Sequence, residues 1–176
     1  LSGGLRQRAI IAMAIVCKPR LLIADEPTTA IDVTTQAQVL KLLKKLQMER
    51  NMGILFITHD LGVIAQMAQY VVVMYLGRIM EKGPVDSIFH NSKHPYTQAL
   101  LRSIPSIQKT TKVKLPTISG SIPHPFNKPS GCPFHPRCNS WIRGKCEKSL
   151  PPEYMVGEGQ SASCFLYEGS EEVIHE

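Results

Sequence analysis

Two apolar stretches that each end in polar residues most constrain the fold of this 176-residue chain. Residues 20–25 are almost continuously apolar up to Asp25, and Glu26 follows directly. Residues 54–58 form a second run, which ends at His59. Continuous apolar runs of this length are typical of parallel strands that are covered on both faces. Because ligands of parallel sheets bind at the carboxyl ends of the strands, we expect a site at Asp25, Glu26 and His59.

The segments around these strands predict helices and a hairpin. Residues 5–17 are apolar nearly all round, which predicts a buried helix with Cys17 in the core. Further helices are expected at residues 34–50, 61–67, 84–90 and 95–103, and hairpin strands at residues 71–75 and 78–81. The alternation of strands and helices predicts an α/β fold.

The chain changes in character after residue 104, where frequent prolines predict a small, loop-rich extension. An extension with little apolar mass needs a cross-link or a metal to fold. Four cysteines could provide the cross-link or bind the metal. They are separated by five, seven and seventeen residues: Cys132, Cys138, Cys146 and Cys164. No C-x-x-C pair occurs, so a zinc ribbon fits poorly, whereas four thiolates suit a [4Fe–4S] cluster. Zinc, reduced thiols and disulfides remain alternatives.

The composition limits the classes of partner without selecting one. A formal charge of +6 suits phosphate ligands, anionic lipid headgroups or a ribosomal partner. Aromatic residues make up only 6% of the chain, which weakens the case for a surface that stacks nucleic-acid bases. No apolar run is long enough to span a bilayer.

The polar residues after the strands suit phosphoryl transfer. Asp25 is placed to hold Mg²⁺ and Glu26 to orient an attacking water, while His59 could hydrogen-bond a γ-phosphate oxygen. The alternatives are an acid pair that caps the next helix and a structural histidine.

Two further segments have polar groups beside a helix start. Ser2, Gly3 and Gly4 offer a hydroxyl and free amides to an anion, although an ordinary N-cap with a glycine turn would look the same. Asp32 lies just beyond the acidic pair and is expected to cap the helix that follows; it could equally reach another subunit.

Together these segments resemble the ATP-binding cassette (ABC) ATPases over residues 1–83. On this resemblance residues 1–4 form the signature motif, which contacts the γ-phosphate of ATP held by the other cassette of a dimer. Glu26 is then the catalytic carboxylate, His59 the switch histidine and Asp25 the Mg²⁺ ligand. Residues 30–32 match the D-loop, with Ile31 where leucine is usual. The implied nucleotide contacts are Ser2, Gly3, Gly4, Gln7, Asp25 and Asp32.

Later features resemble the peptide-transport branch of that family. They are the continuation Leu5-Arg6-Gln7-Arg8, the segment His94-Pro95-Tyr96-Thr97 and the stretch from Cys132 to Cys138. The resemblance implies an ATP-hydrolysing subunit of a dipeptide or oligopeptide importer on the cytoplasmic face of a bacterial or archaeal membrane. It implies a second ATPase subunit, permease subunits and, indirectly, a peptide-binding protein as partners, with no nucleic acid. It also implies an iron–sulfur cluster on the four cysteines.

No G-x-x-x-x-G-K-[ST] segment occurs in the sequence. We therefore expect this chain to be the C-terminal portion of a longer protein and, alone, to be inactive. The resemblance divides it into residues 1–83 of the ATPase domain, a helical connector at 84–104 and the cysteine extension at 105–176. Three alternatives remain open: an importer of nickel or another small solute, a cassette that acts on nucleic acid or ribosomes, and a metal-binding interaction module.

Overall fold

The computed structural model of the chain describes residues 3–104, 118–124 and 126–169. The chain forms two compact units, which divide between Ala68 and Gln69. The boundaries at residues 83 and 104, which rest on resemblance to a family, stay predictions. Within the described ranges no helix combines the length and apolar character that crossing a bilayer requires.

The first unit is a small α/β unit, which confirms the predicted fold class. Its elements in chain order are α1 (Gly3–Ile15), β1 (Leu21–Asp25), α2 (Val33–Arg50), β2 (Gly53–Ile57) and α3 (Leu61–Met67). Strands β1 and β2 pair in parallel, with Leu21 opposite Gly53 and Asp25 opposite Ile57. The two strands therefore end side by side, as the sequence predicts.

Helix α2 provides most of the core of this unit. Its apolar stripe, which includes Val39, Leu43 and Leu46, packs with Leu22 of β1 and Met52. The helix begins at Asp32, whose carboxylate accepts a hydrogen bond from the Thr35 amide at 2.9 Å. It ends at Asn51, which adopts the left-handed conformation that commonly terminates helices.

Helix α1 differs from its prediction. Only Ile11 of this helix is buried, and Ile10 and Met13 are exposed. Cys17 lies beyond the helix end and is exposed, so its assignment to the core is wrong. An apolar sequence indicates that a surface favours burial, but burial also needs a partner surface. Helix α2 supplies that partner along one side of α1.

The sheet of the first unit is likewise covered on one face only within the described residues. Leu22 and Ala24 of β1 are buried, whereas Leu21 and Ile23 are exposed, with Leu55 and Ile57 of β2 exposed as well. The alternation follows from the two-residue period of a strand, which points successive side chains to opposite faces. The prediction of cover on both faces is therefore not met within this structure.

The second unit contains one antiparallel sheet. Its elements are β3 (Tyr70–Tyr75), β4 (Arg78–Pro84), α4 (Val85–His90), α5 (Pro95–Arg102), β5 (Tyr154–Gly157) and β6 (Gln160–Ala162), with short 3-10 turns at His135–Arg137 and Phe165–Tyr167. The strand order is β3-β4-β6-β5. The cysteine extension thus contributes two strands, and β6 pairs directly with β4. Sequence reasoning missed this hairpin because its strands are only four and three residues long.

The core of the second unit is aromatic. Phe134 is 2% exposed and lies edge-on to Tyr75, with ring centroids 5.5 Å apart. Tyr96 of α5 contacts both rings. Edge-on and tilted arrangements bring the positive edge of one ring to the negative face of another, which stabilises the cluster beyond its buried area. Cys132 and Cys146 are buried in the same cluster.

Gly131 is a position where only glycine fits. Its φ is +64°, and a β-carbon there would lie 2.3 Å from the Cys146 carbonyl oxygen. We expect Gly131→Ala to destabilise the second unit by about 3 kcal/mol, from left-handed strain and a backbone clash together. Urea unfolding followed by the fluorescence of Trp141, the only tryptophan, measures this.

Gly144→Ala is the matched control, because Gly144 also has a positive φ but a β-carbon there meets nothing within 4 Å. In that variant the free energy of unfolding should fall by only about 1 kcal/mol, because alanine is strained in the left-handed conformation but meets no clash. Equal losses of stability in the two variants would mean that the Cys146 backbone moves aside and the predicted clash does not occur.

Candidate active site and cysteine cavity

The structure brings Glu26 and His59 together at the carboxyl ends of β1 and β2. The Glu26 amide donates to the Ile57 carbonyl at 2.9 Å, which continues the strand pairing by one residue. His59 Nδ1 lies 2.8 Å from Glu26 Oε1, and both side chains are open to solvent. A carboxylate and an imidazole in contact at a strand end form a pair that can orient and deprotonate a water.

Thr29 holds the other oxygen of Glu26. Its hydroxyl donates to Glu26 Oε2 at 2.6 Å, so each carboxylate oxygen has its own partner. The hydrogen bond from Thr29, and then that from His59, keep the pKa of Glu26 below its usual value. Sequence reasoning missed Thr29; a hydroxyl three residues after a candidate carboxylate was the available clue.

The backbone of Glu26 is also constrained. Its φ is +46°, in the left-handed region that residues other than glycine seldom adopt. Such a conformation costs about 1–3 kcal/mol and persists where surrounding contacts impose it, often at functional sites. The strand pairing before Glu26 and the Thr29 contact after it are two such constraints.

His59 is expected to titrate above the ordinary histidine value of 6.5, because the Glu26 carboxylate stabilises its charged form. Glu26→Gln should move the pKa of His59 back towards that value. Proton NMR of the imidazole resonances, assigned with His59→Ala, measures both pKa values. An unchanged His59 pKa in Glu26→Gln would mean that the contact does not exist in solution.

The sign of the pH dependence follows from the two shifts. The pKa of His59 is higher in the folded chain than in the unfolded chain, so the contact stabilises the fold fully at pH values below the unfolded pKa of His59. This stabilisation is lost as the pH rises through the folded pKa of His59. The pKa of Glu26 is lower in the folded chain than in the unfolded chain, so its hydrogen bonds stabilise the fold fully at pH values above the unfolded pKa of Glu26. This stabilisation is lost as the pH falls through the folded pKa of Glu26. The pair therefore stabilises the first unit between the folded pKa of Glu26 and that of His59.

The other predicted nucleotide residues are placed as follows. Asp25 is the last residue of β1 and is exposed. Asp32 caps α2, as expected, and its second oxygen accepts from the Thr35 hydroxyl at 2.6 Å. Gln7 is half-buried on α1. Ser2 lies outside the described residues.

The predicted signature glycines lie in the first turn of α1, where Gly3 packs against the segment that precedes α2 and Gly4 packs against the first turn of α2. A β-carbon on Gly3 would meet Ile31 at an ordinary 3.5 Å, whereas one on Gly4 would lie 2.4 Å from Thr35 Cγ2. Gly4 is therefore required by packing, and Gly3 has room for a side chain. Neither role was visible in the sequence.

The four cysteines of the extension line one small cavity, together with His94 and Trp141. Cys132 and Cys146 are buried, and Cys138 and Cys164 are half-buried. Burial raises the pKa of Cys132 and of Cys138, and it raises that of Cys164 to about 12, with the neighbouring thiols adding to each shift. All four are free thiols.

The backbone holds the two buried cysteines side by side. The Cys132 amide donates to the Cys146 carbonyl at 2.7 Å, and the Cys146 sulfur accepts from the Ile142 amide at 3.3 Å. No three His, Cys, Asp or Glu side chains in the described ranges are arranged so that they could hold a metal ion. The four cysteines thus line one cavity, and the iron–sulfur cluster stays a prediction.

Two family models match the chain. The model described as "Oligopeptide/dipeptide transporter, C-terminal region" matches residues 80–146. The model described as "ABC transporter" matches residues 1–29. The first contains α4, α5 and three of the cavity cysteines, and the second contains Gly3, Gly4, β1 and Glu26.

Relatives match along almost the whole chain. A Brucella ovis protein, provisionally named a peptide import ATP-binding protein, is 54% identical over 173 residues, which are 96% of this chain and 51% of that protein. The dipeptide transport ATP-binding protein of Escherichia coli is 46% identical over 93% of this chain and 50% of its own length. The chain spans about half the length of the curated relatives that it matches.

A solved structure agrees with the fold. It is described as an inward-facing conformation of a provisionally assigned metal-chelate type ABC transporter. It is 32% identical, with a TM-score of 0.50, over 57% of this chain and 39% of its own. Together the matches favour the peptide-transport interpretation over the nickel and nucleic-acid alternatives. Over 93–96% of its length the chain is thus similar to ATP-binding proteins of peptide and dipeptide transporters.

Proposed function

We propose that this chain carries part of the catalytic site of an ATP-hydrolysing subunit that drives the import of dipeptides or oligopeptides. The observation that carries the proposal is the 2.8 Å contact between Glu26 and His59 at the ends of two parallel strands. The relatives support the substrate class, since their names specify peptide or dipeptide transport.

Each residue has a separate task in this proposal. ATP and Mg²⁺, when bound, supply the phosphoryl group and neutralise its charge. Asp25 would hold the metal, directly or through water, and Glu26 would orient the attacking water. His59 would donate to the γ-phosphate. Thr29 keeps the Glu26 carboxylate in place through the hydrogen bond described above.

In this proposal a P-loop segment and a second ATPase subunit supply the other groups that hold ATP. A P-loop would provide most of the donors to the β- and γ-phosphates. A second ATPase subunit would present its Ser2, Gly3, Gly4 and Gln7 to this subunit's ATP, with Asp32 at the interface. In this assignment residues 1–83 belong to the ATPase domain and residues 105–176 form the cysteine extension. Residues 84–104 are the helical connector between them.

We further propose that the subunit sits at the cytoplasmic face of a bacterial or archaeal membrane. Permease subunits would be its direct partners, and a peptide-binding protein would act through them. The homologous proteins support this arrangement, since they are named as transport ATP-binding proteins.

A transport assay tests the substrate class. The chain would be joined to the P-loop segment of a related peptide-importer ATPase and expressed in Escherichia coli cells that lack the dipeptide transport ATP-binding protein. We expect restored uptake of a labelled dipeptide and no gain in nickel uptake. Hydrolysis of ATP accompanied only by nickel uptake would overturn the peptide assignment.

The cysteine cavity is proposed to hold a [4Fe–4S] cluster with a structural or sensing role. The donor set fits, because four thiols line one cavity. In such a cluster each thiolate binds a different iron, so its sulfurs lie farther apart than those around one zinc ion. No three His, Cys, Asp or Glu side chains in the described residues are arranged to hold a metal ion, so the proposal rests on the shared cavity and on the resemblance to the peptide-transport branch.

Metal analysis of the whole chain tests the cluster. Purified anaerobically, it should contain about four iron atoms and four acid-labile sulfides, with a visible charge-transfer band. Stoichiometric zinc without that band would replace the cluster with a zinc site. A protein free of both metals would leave four structural thiols.

A further inference from the structure

The second unit contains a further cavity, with a volume of about 150 Å³, beside the one that the cysteines line. One face of α5 contributes Pro95, Gln98, Ala99 and Arg102 to it, because residues three, four and seven apart lie on the same side of a helix. The other lining residues are Ile118, Ser119, Phe134, Arg137, Asn139 and Ser140. The cavity therefore lies between α5 and the loops of the cysteine extension, within one compact unit.

Contacts with neutral groups fix the guanidinium of Arg137 at this cavity. Its Nε donates to the Ser119 carbonyl at 3.0 Å, and its terminal nitrogens donate to the Tyr75 hydroxyl at 3.2 Å and to the Ile118 carbonyl at 3.4 Å. The group also lies over the Tyr75 ring, 6.0 Å from the ring centroid. These bonds use three of the five N–H donors of a guanidinium, and none of the three acceptors carries a negative charge. Arg137 thus presents a held positive charge with donors to spare.

Arg102 adds a second positive charge to the same cavity. It lies in the last turn of α5 and is exposed. In the part of the chain that the structure describes, the ion pairs involve neither arginine, and no acidic side chain lines the cavity. Two like charges at one cavity repel each other, so an anion between them is favoured. Neutral amides and hydroxyls complete the polar lining: Gln98, Ser119, Asn139 and Ser140.

The volume of the cavity limits the size of a ligand. A protein cavity of about 150 Å³ can hold a molecule of the size of benzene, with roughly six non-hydrogen atoms. Inorganic phosphate and short carboxylates such as succinate are close to this size, whereas a nucleotide or an oligopeptide is several times larger. Arg102, Asn139 and Ser140 are exposed, so a ligand can enter from solvent.

We propose that this cavity binds a small anion with a carboxylate or phosphate group, held by Arg102 and Arg137. The planar fork of a guanidinium matches two oxygens of either group, and such charge-assisted hydrogen bonds are stronger than neutral ones. Ala99, Ile118 and Phe134 give the cavity an apolar part that can contact a short hydrocarbon chain. The site is separate from the proposed ATP site, because none of its lining residues belongs to that site.

Two variants test the charge and the space of this site separately. Arg102→Gln removes one positive charge from an exposed side chain, and Ala99→Leu fills the cavity without changing the charge. Arg137 is left in place, since its hydrogen bonds also hold the backbone of residues 118–119. Arg78→Gln is the matched control, because Arg78 is an exposed residue of β4 that does not line the cavity.

NMR titration of the ¹⁵N-labelled whole chain with succinate and with phosphate, at constant ionic strength, measures binding. We expect saturable shifts of the Gln98 and Asn139 side-chain amides, and none with chloride. The Kd should rise about tenfold in Arg102→Gln and at least as much in Ala99→Leu, but stay within about twofold in Arg78→Gln. Tighter binding of succinate would assign the site to carboxylates, and tighter binding of phosphate would assign it to phosphates. No saturation with either anion, or equal weakening in Arg102→Gln and Arg78→Gln, would overturn the proposal.

Discussion

Glu26→Gln is expected to lower ATP hydrolysis about 10²–10⁴-fold in a protein that joins these residues to a P-loop. Glutamine keeps the shape of the side chain and can still accept from Thr29 and contact His59. It cannot take a proton from the attacking water. Binding of ATP should be unchanged, so the loss should fall in kcat.

Steady-state hydrolysis and equilibrium binding of ATP measure the two effects separately. Glu49→Gln is the control, because Glu49 is an exposed residue of α2 that pairs only weakly with Lys45 at 3.7 Å. That control should hydrolyse ATP normally. Hydrolysis within threefold of wild type in Glu26→Gln would remove Glu26 from the mechanism.

Glu81→Met is expected to cause the largest loss of stability, about 3–5 kcal/mol. Glu81 on β4 is fully buried, and its Oε1 accepts from the Lys93 amide at 2.7 Å and from Gln160 Nε2 at 2.8 Å. Its Oε2 accepts from the His94 amide at 3.0 Å. Methionine has a similar length but no strong acceptor, so three donors lose their partner in hydrogen bonds of which two are buried and one is half-buried.

Urea unfolding followed by Trp141 fluorescence measures this loss in the second unit. Glu158→Met serves as the control, because Glu158 is exposed in the turn between β5 and β6. Its effect should stay within about 0.5 kcal/mol. A loss below 1 kcal/mol in Glu81→Met would mean that water or another acceptor replaces the carboxylate.

The elements with strong local patterns could be predicted from the sequence. Helix α2 shows a regular apolar stripe and an Asp32 cap, and α3 was predicted with its observed bounds and begins after the capping Asp60. The strand ends placed Glu26 and His59 together because parallel pairing in register aligns them. In these cases local propensity, pattern and pairing agree.

The features that were missed depend on contacts between distant parts of the chain. The β5–β6 hairpin is too short to recognise until β6 is seen against β4. The exposure of Cys17 and of most of α1 depends on which surfaces meet it. Glu81 accepts a hydrogen bond from Gln160, which is 79 residues away along the chain. No periodic pattern in the sequence indicates such a contact.

The central claim is that each catalytic site combines Glu26 of one subunit with the signature motif of the other. Mixed dimers of the P-loop-containing protein test it with Glu26→Gln and Gly3→Asp, since Gly3 has room for a side chain. With one change in each subunit, one site keeps both wild-type halves, and we expect about half of the hydrolysis rate. With both changes in one subunit, each site has one defect, and hydrolysis should be lost. The reverse pattern would contradict the claim, because the signature motif would then serve its own subunit's ATP.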